Sequence, residues 1–226
     1  MSRPLRIEFP GALYLVSSSS NSGQKVFDSE EQYDCFLDIL EKVLFRYGWI
    51  CYGYCLLPES YYLLIETPKP NLSIGMRQLN GVFTQDLNRN FNVTDKIFKR
   101  RFTSVVVEKE HYLLKLCRHL AYLPVKQNLV KKADKWQWGS HHQLLNKTPK
   151  NFIQQNWIFH QFSQKPKAAR KRYKKYIKEA EQAISPLLFI QSQIYLGSDK
   201  FISSLKEQTR KQHPQKIKRP KLNTII

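Results

Sequence analysis

The order of short apolar runs and amphipathic segments is the feature that most restricts the fold of this chain. Four short runs are rich in aromatic and β-branched residues and are bounded by turn residues, which is typical of β-strands. Three longer segments repeat apolar residues every three or four positions, which is typical of helices. The predicted strands are residues 13–17, 50–57, 61–66 and 103–108, and the predicted helices are residues 29–47, 73–90 and 109–123.

The resulting order is β-α-β-β-α-β-α. Its first six elements match the split βαβ, ferredoxin-like arrangement, in which an antiparallel sheet carries its helices on one face. Ser29 and Gln32 predict a capping box at the start of the first helix, and Gly48 predicts its end. We therefore expect an α+β fold with a ferredoxin-like core over residues 1–130.

The second part of the chain, residues 131–226, is predicted to be a basic and mainly helical extension. Trp136, Trp138 and Trp157 indicate that residues 126–162 pack onto the core. A helix is expected to begin in residues 165–178 and to continue to about residue 184, and a short one is expected at residues 197–207. The basic, proline-containing tail from about residue 208 is expected to be disordered without a partner.

Positive charge is concentrated in this second part. The net charge is +19, and residues 1–124 carry 15 basic and 13 acidic side chains whereas residues 125–226 carry 22 and 5. Residues 165–178 alone hold eight basic side chains and no acidic one. Such a one-sided excess attracts a polyanion, most commonly nucleic acid. The alternative is a solvent-exposed surface whose charge only aids solubility.

Membrane proteins and disulfide-rich secreted proteins do not match this chain. No apolar run approaches the roughly 18 residues of a membrane span. The first six residues are not followed by the apolar segment of a signal peptide, so no signal peptide is expected. The four cysteines lack the spacing of a zinc ribbon and are expected to be free, buried thiols. We expect a cytoplasmic, nucleoid-associated protein with no membrane partner.

Several sequence blocks resemble repeat (REP)-associated tyrosine transposases, which are single-tyrosine transposases with a histidine–hydrophobic–histidine motif. The blocks occur in the family's order and span almost the whole chain. They are residues 3–14, 54–58 (Tyr-Cys-Leu-Leu-Pro), 71–81 (Asn-Leu-Ser-Ile-Gly-Met-Arg-Gln-Leu-Asn-Gly), 101–102, 123–130, 138–140, 196–201 and 219–220.

The resemblance implies a ferredoxin-like nuclease core that handles single-stranded DNA and hairpins from palindromic repeats, often as a dimer. In such an enzyme two histidines on one strand and a polar residue on the third helix bind Mg²⁺ or Mn²⁺, which polarises the scissile phosphate. A tyrosine on that helix attacks the phosphate and becomes joined to the DNA.

All four of these functional positions differ in this chain. The family strand motif resembles Pro-Asn-His-Tyr-His-Leu-Leu, and here Ser60 and Tyr62 stand at the histidine positions. The helix motif resembles Arg-Tyr-Ile-Glu-Leu-Asn-Pro-Val, and here His119 stands at the nucleophile position and Leu123 at the ligand position. We therefore expect no metal, no cofactor and no strand cleavage.

Two alternatives remain open at this point. An active transposase with a rebuilt site is one, with Tyr61, Tyr62 or Tyr122 as nucleophile, although Tyr122 lies about 300° around the helix from the family position. The residues for a rebuilt metal site are Glu59, His111 and His119. RNA binding by the basic half is the other alternative. The adjacent His141 and His142 are expected to form a surface pair.

DNA binding needs cations for phosphates and aromatic planes for bases. The predicted DNA-binding residues lie on the polar side of the second helix, before the fourth strand and in the basic segment. They are Arg77, Gln78, Asn80, Arg89, Lys99, Arg100, Arg101, Arg170, Lys171, Arg172, Lys174 and Lys175.

Overall fold

The computed structural model describes residues 6–20, 24–91, 97–98, 101–146, 152–179 and 183–212. Its strands are β1 (Ala12–Ser19), β2 (Ile50–Leu57), β3 (Ser60–Thr67), β4 (Thr103–Val107) and β5 (Tyr195–Leu196). Its α-helices are α1 (Glu30–Tyr47), α2 (Leu72–Asn90), α3 (Lys109–Lys126), α4 (Ser140–Leu145), α5 (Gln155–His160), α6 (Pro166–Lys178) and α7 (Asp199–Gln212). Two 3₁₀ turns span Ala133–Lys135 and Pro186–Phe189.

The five strands form one sheet in the order β2-β3-β1-β4-β5. The first four strands pair antiparallel, which confirms the predicted α+β, ferredoxin-like core. β5 joins the edge beside β4 in parallel. Sequence patterns miss β5 because it is only two residues long and has no alternation to detect.

The crossover helices α1 and α2 cover one face of the sheet. Tyr61 of β3 points to this face, where its ring lies 4.7 Å from that of Phe36 in α1 and its hydroxyl donates to Asn80 Oδ1 in α2 at 2.5 Å. Gly48 ends α1 in the left-handed conformation, with φ of 66°, as its position predicts. The predicted capping box is wrong in detail: the Ser29 side chain makes no capping bond, and Gln32 Oε1 accepts from the Asp28 backbone N–H.

Helix α3 lies on the opposite face, where Lys109 Nζ lies 2.7 Å from Glu66 Oε2 of β3. Gly53 allows this packing, because a Cβ there would lie 3.2 Å from Ser140 Oγ and 3.7 Å from Leu120 Cδ1. The helix also continues past its predicted end at Leu123 to Lys126, with Pro124 inside its last turn. Pro124 has no N–H to donate to the Leu120 carbonyl, and the helix ends two residues after it.

The tryptophans fasten the extension to the core, as their presence in residues 126–162 predicts. Trp136 Nε1 donates to the Leu56 carbonyl at 2.8 Å, and the Trp138 ring stacks on Tyr33 with centroids 4.6 Å apart. Trp157 packs edge-on against Tyr52. Residues from both halves of the sequence therefore belong to one hydrophobic core.

The later helices differ from their predicted bounds. α6 ends at Lys178, so the predicted continuation of this helix to about residue 184 is wrong. Residues 180–182 lie outside the described part of the chain. α7 runs to Gln212, past the predicted end at residue 207, and the remainder of the predicted disordered tail lies outside the described residues. No helix in the described ranges has both the length and the apolar character needed to cross a membrane.

Candidate nucleic-acid interface

Helix α6 presents its cations because its apolar residues fix which side faces the core. Ala169, Tyr173 and Ile177 recur every four residues and are buried. Pro166 occupies the first helical turn, where a missing N–H costs nothing. The remaining side of α6 carries most of the basic residues of the segment and faces the solvent.

Two adjoining clefts line this side of α6, with volumes of about 490 Å³ and 340 Å³. They share Asp134 and Lys174, and we call them together the basic groove. The lining of the larger cleft is Asp134, Lys135, His142, Leu145, Asn146, Arg170, Lys171 and Lys174. The lining of the smaller cleft is Tyr122, Lys131, Lys132, Ala133, Asp134, His141, Lys174, Ile177 and Lys178. Seven lysines and arginines thus line the groove against one carboxylate.

The predicted basic residues of α6 have different surroundings. Arg170 is half-buried, donates to the Leu144 carbonyl at 2.8 Å and lies 4.9 Å from the Phe159 ring centroid, so it helps to hold α6 in place. Arg172 is exposed and donates to the Phe162 carbonyl. Lys174 lies 3.6 Å from Asp134 Oδ2. Lys171 and Lys175 are exposed, although Lys175 does not line the groove.

Four further lysines of the groove are not among the residues predicted from the sequence. Lys131, Lys132 and Lys135 come from the segment that includes the first 3₁₀ turn, and Lys178 ends α6. The pair Lys131-Lys132 is a visible signal in the sequence. Its position opposite α6 is not visible, because the two segments lie some forty residues apart in the chain.

The predicted surface pair His141 and His142 is wrong for His141. Because α4 begins at Ser140, successive side chains point about 100° apart, so His141 is buried whereas His142 is only half-buried. His141 is buried with its Nδ1 3.1 Å from the Tyr173 hydroxyl, and burial lowers its pKa to about 4. His142 is half-buried, with Nδ1 2.7 Å from the Asp134 carbonyl oxygen.

A separate cleft, of about 400 Å³, lies outside the basic groove and surrounds the two strand positions at which the family's histidines are expected. Ser60 and Tyr62 face it from β3, opposite Ser19 and Ser17 of β1. The Ser17 and Thr103 hydroxyls lie 2.6 Å apart, and Arg101 completes the lining. Neutral hydroxyls beside a guanidinium do not fit Mg²⁺ or Mn²⁺, because the cleft offers these cations no carboxylate and places a positive charge beside them.

The two family-equivalent positions on helix α3, His119 and Leu123, do not line the cleft around Ser60. His119 is buried beside Ser185 and Pro186 in a pocket of about 10 Å³, and burial lowers its pKa to about 4. Leu123 is buried in the core. Tyr122 is half-buried and lines both the His119 pocket and the basic groove. Within the described residues, the His119 pocket and the cleft around Ser60 have no lining residue in common.

Comparison with solved structures finds a chain of similar fold. A REP-associated tyrosine transposase, solved bound to a REP hairpin, superposes with a TM-score of 0.53 at 18% sequence identity. The match covers 63% of this chain and 84% of that one. The fold is that of a REP-associated tyrosine transposase. No protein-family model and no curated protein sequence matches the chain.

The other residues considered for a rebuilt transposase site do not come together. Tyr61 is fully buried, and burial raises the pKa of its phenol, which is hydrogen bonded to Asn80. His111 is exposed, 3.3 Å from Glu108. Glu59 is exposed on the turn before β3. In the part of the chain that the structure describes, no three histidine, cysteine, aspartate or glutamate side chains are placed to hold a metal ion.

The remaining predicted DNA-binding residues belong to α2 and to the loop before β4. Arg77 and Arg89 are exposed on α2. Gln78 and Asn80 are half-buried and accept hydrogen bonds from Tyr47 and Tyr61, so each amide has a partner within the protein. Arg101 lines the cleft around Ser60. Lys99 and Arg100 lie outside the described residues.

Proposed function

We propose that this protein binds hairpin or single-stranded DNA along the basic groove and does not cut it. The observation that carries the proposal is the charge of the groove, where seven lysines and arginines face one carboxylate. Like charges held this closely repel one another, and a phosphate backbone relieves that repulsion while releasing its own counterions.

The fold supports DNA as the polyanion. The REP-associated tyrosine transposase of similar fold was solved bound to a REP hairpin. A hairpin offers a phosphate backbone to the exposed Lys171 and Lys135 of the groove and unpaired bases at its loop and ends. A tyrosine ring on which such a base can stack is present, since Tyr122 lines the groove together with its lysines.

The absence of cutting follows from the chemistry of the family-equivalent positions. Ser60 and Tyr62 offer hydroxyls where a divalent metal needs imidazoles or carboxylates. His119 stands at the nucleophile position in a pocket too small for a phosphate, and Leu123 has no ligand atom. Burial also raises the pKa of Tyr62, which disfavours the phenolate that an attacking tyrosine needs.

The test uses a DNA hairpin with single-stranded flanks, incubated with the protein and Mg²⁺ or Mn²⁺. One half of each sample is run on a native gel and the other half on a denaturing gel. We expect a native shift that persists in EDTA, with neither cleavage nor a covalent adduct. Cleavage, or an adduct lost in Tyr122→Phe or Tyr62→Phe, would instead establish an active transposase with a rebuilt site.

Charge variants connect binding to the groove. The triple variant Lys131→Gln, Lys132→Gln, Lys171→Gln removes three groove cations and should weaken binding by about tenfold or more. The matched control, Lys42→Gln, Lys69→Gln, Lys200→Gln, removes three exposed lysines outside the groove. Equal loss in both variants would show that only net charge matters and would overturn the assignment to the groove.

The same samples test whether DNA is preferred to RNA and how many protein chains bind one hairpin. An RNA hairpin of the same sequence serves as competitor, and we expect DNA to be retained against it. RNA binding tighter than DNA binding would replace the proposal by the RNA alternative. Light scattering of the complex gives its stoichiometry, and two protein chains per hairpin would match the dimers expected from the resemblance.

A further inference from the structure

The smaller cleft of the basic groove has the composition of a nucleotide-binding pocket. Its apolar members are the Tyr122 ring, Ala133 and Ile177, and its cationic members are Lys131, Lys132, Lys174 and Lys178. Its volume of about 340 Å³ lies at the lower end of the range of about 300–1,000 Å³ that is usual for small-ligand sites. We call it the Tyr122 pocket.

We propose that the Tyr122 pocket holds one unpaired nucleotide of the bound DNA, with its base against the Tyr122 ring and its phosphates on the lysines. The inference rests on the proposed function, and it adds the part of the DNA that occupies this pocket. An aromatic face accepts any base, whereas the lysines require the phosphates that flank it.

The position of each pocket wall supports this occupant. Tyr122 comes from the last turns of α3, the two adjacent lysines from the segment before the first 3₁₀ turn, and Lys174 and Lys178 from one side of α6. Helical residues four apart lie on the same face, so these last two lysines follow each other along one wall. A strand entering the pocket would therefore meet cations from two separate segments and one aromatic ring.

The carboxylate in the lining does not cancel this charge. Asp134 Oδ2 lies 3.6 Å from Lys174 Nζ, so the two side chains offset each other. Lys131, Lys132 and Lys178 then remain for the phosphates. His141, which also lines the pocket, adds no positive charge at neutral pH because burial lowers its pKa to about 4.

A paired base cannot occupy such a pocket. In a duplex the bases are stacked inside the helix, and reaching an aromatic ring in a concave site requires that a base leave the stack. The pocket therefore distinguishes DNA with an unpaired end or flank from a flush hairpin. The larger cleft is lined by Lys135, Arg170 and Lys171, and its lining includes no tyrosine, tryptophan or phenylalanine, so it suits phosphates better than bases.

The experiment compares a flush hairpin with the same hairpin carrying a three-nucleotide extension at its 5′ or 3′ end. The fluorescent base 2-aminopurine occupies the first unpaired position. We expect the protein to bind one extended hairpin roughly tenfold more tightly than the flush one and to quench the probe, because stacking on an aromatic ring stabilises an unpaired base.

Variants at position 122 identify the ring. Tyr122→Leu should abolish both the preference and the quenching, while Tyr122→Phe and Tyr122→Trp keep both because they keep an aromatic plane. The matched control is Tyr112→Leu, which removes a half-buried tyrosine from the same helix outside the pocket. Far-ultraviolet circular dichroism and thermal melts establish that each variant is folded.

The outcomes separate the two proposals. If no DNA binds at all, the proposed function fails. If the flush and extended hairpins bind equally, or the quenching persists in Tyr122→Leu, only the assignment of the pocket fails. A free deoxynucleoside monophosphate is the last arm: if it displaces the probe at the concentration at which the extended hairpin does, the pocket serves free nucleotides and the inference is overturned.

Discussion

The imidazole Nδ1 of His141 lies 3.1 Å from the hydroxyl oxygen of Tyr173, and this buried pair joins α4 to the basic helix α6. The rings of Phe159 and Phe162 pack edge-on against Tyr173, with centroids 5.5 Å and 5.7 Å from it. This aromatic cluster lies beneath the basic groove, and together with the contacts of Arg170 to the Leu144 carbonyl and the Phe159 ring it holds α6 in place.

Removal of the Tyr173 hydroxyl should affect stability and leave DNA binding intact. Tyr173→Phe keeps the ring but leaves the buried His141 Nδ1 without its partner, which should lower the free energy of unfolding by about 1 kcal/mol. Tyr173→Ala also removes the ring, and a loss of about 3–5 kcal/mol is expected together with weaker binding. Urea denaturation and a native gel measure both; equal DNA affinity in wild type and Tyr173→Ala would show that α6 does not depend on this anchor.

The stability of the protein should fall as the pH falls from about 6.5 to about 4. Burial lowers the pKa of His119 and of His141 from 6.5 to about 4, so in this window the unfolded chain binds protons that the folded chain does not. Within this window each histidine contributes a slope of about 1.4 kcal/mol per pH unit. The corresponding stability is fully present above pH 6.5 and is lost progressively toward pH 4. Urea titrations at half-unit pH intervals measure the free energy of unfolding across this range.

The contribution of His119 to this slope can be isolated. Its Nε2 has no hydrogen-bond partner among the described residues, so His119→Leu removes a buried polar atom as well as a titrating group. The slope of the free energy of unfolding against pH should therefore be smaller in this variant by about 1.4 kcal/mol per pH unit, the contribution of one titrating group. His160→Gln, at an exposed position on α5, is the control and should keep the steep fall. Equal slopes in wild type and His119→Leu would contradict the prediction.

Two glycines of α2 should respond to alanine in opposite ways. A Cβ at Gly75 would lie 2.2 Å from the ring of the buried Trp49, whose Nε1 donates to Asn71 Oδ1, so the ring has little freedom to move. Gly75→Ala should therefore destabilise the protein by about 1–3 kcal/mol. At Gly81 a Cβ meets nothing within 4 Å, and Gly81→Ala should stabilise by about 0.5–1 kcal/mol through helix propensity. Thermal denaturation of the two variants checks the sign of each effect, and a shift in the same direction would refute the packing argument.

The sequence predicts the core well because its strands are short apolar runs between turn residues and its helices bury regular stripes. The pairing of β1 with β3 and β4, and both crossover helices, follow from these runs, the helical period and the order of the elements. The extension is predicted less well. The end of α6 and the two-residue β5 depend on tertiary contacts rather than on a local pattern, as does the continuation of α3 through Pro124.

Some features of the candidate interface could likewise be predicted from the sequence, and others could not. The density of cations in α6 is visible in the sequence, and so is its amphipathic stripe. The contribution of Lys131 and Lys132 is not visible, because only the packing of the 3₁₀ turn brings them opposite α6. The hydrogen bonds that Gln78 and Asn80 accept could not be predicted from the sequence either, because the tyrosines that donate them come from other elements of the fold.

Binding should depend steeply on salt, and the groove cations should account for part of the slope. Each phosphate contact contributes about 0.7 to 0.9 to the slope of log affinity against log salt concentration. The variant Lys131→Gln, Lys132→Gln, Lys171→Gln should therefore lower the slope by about 2 to 3, whereas the control Lys42→Gln, Lys69→Gln, Lys200→Gln should keep it. Fluorescence anisotropy between low and moderate salt measures both, and an unchanged slope in the first variant would place the phosphates elsewhere.

Restoring the strand histidines should restore a metal site without restoring cleavage. Positions 60 and 62 point to the same side of β3 and face an open cleft, so Ser60→His with Tyr62→His places two imidazoles close enough to share one Zn²⁺, while either substitution alone supplies one ligand. Calorimetry should therefore detect Zn²⁺ binding in the double variant beyond that in either single one. Denaturing gels with Mn²⁺ should still show intact DNA, because His119 remains buried at the nucleophile position and Leu123 supplies no ligand. Cleavage by the double variant would mean that a tyrosine such as Tyr122 reaches the restored metal, and the loss of activity would then lie in the strand motif alone.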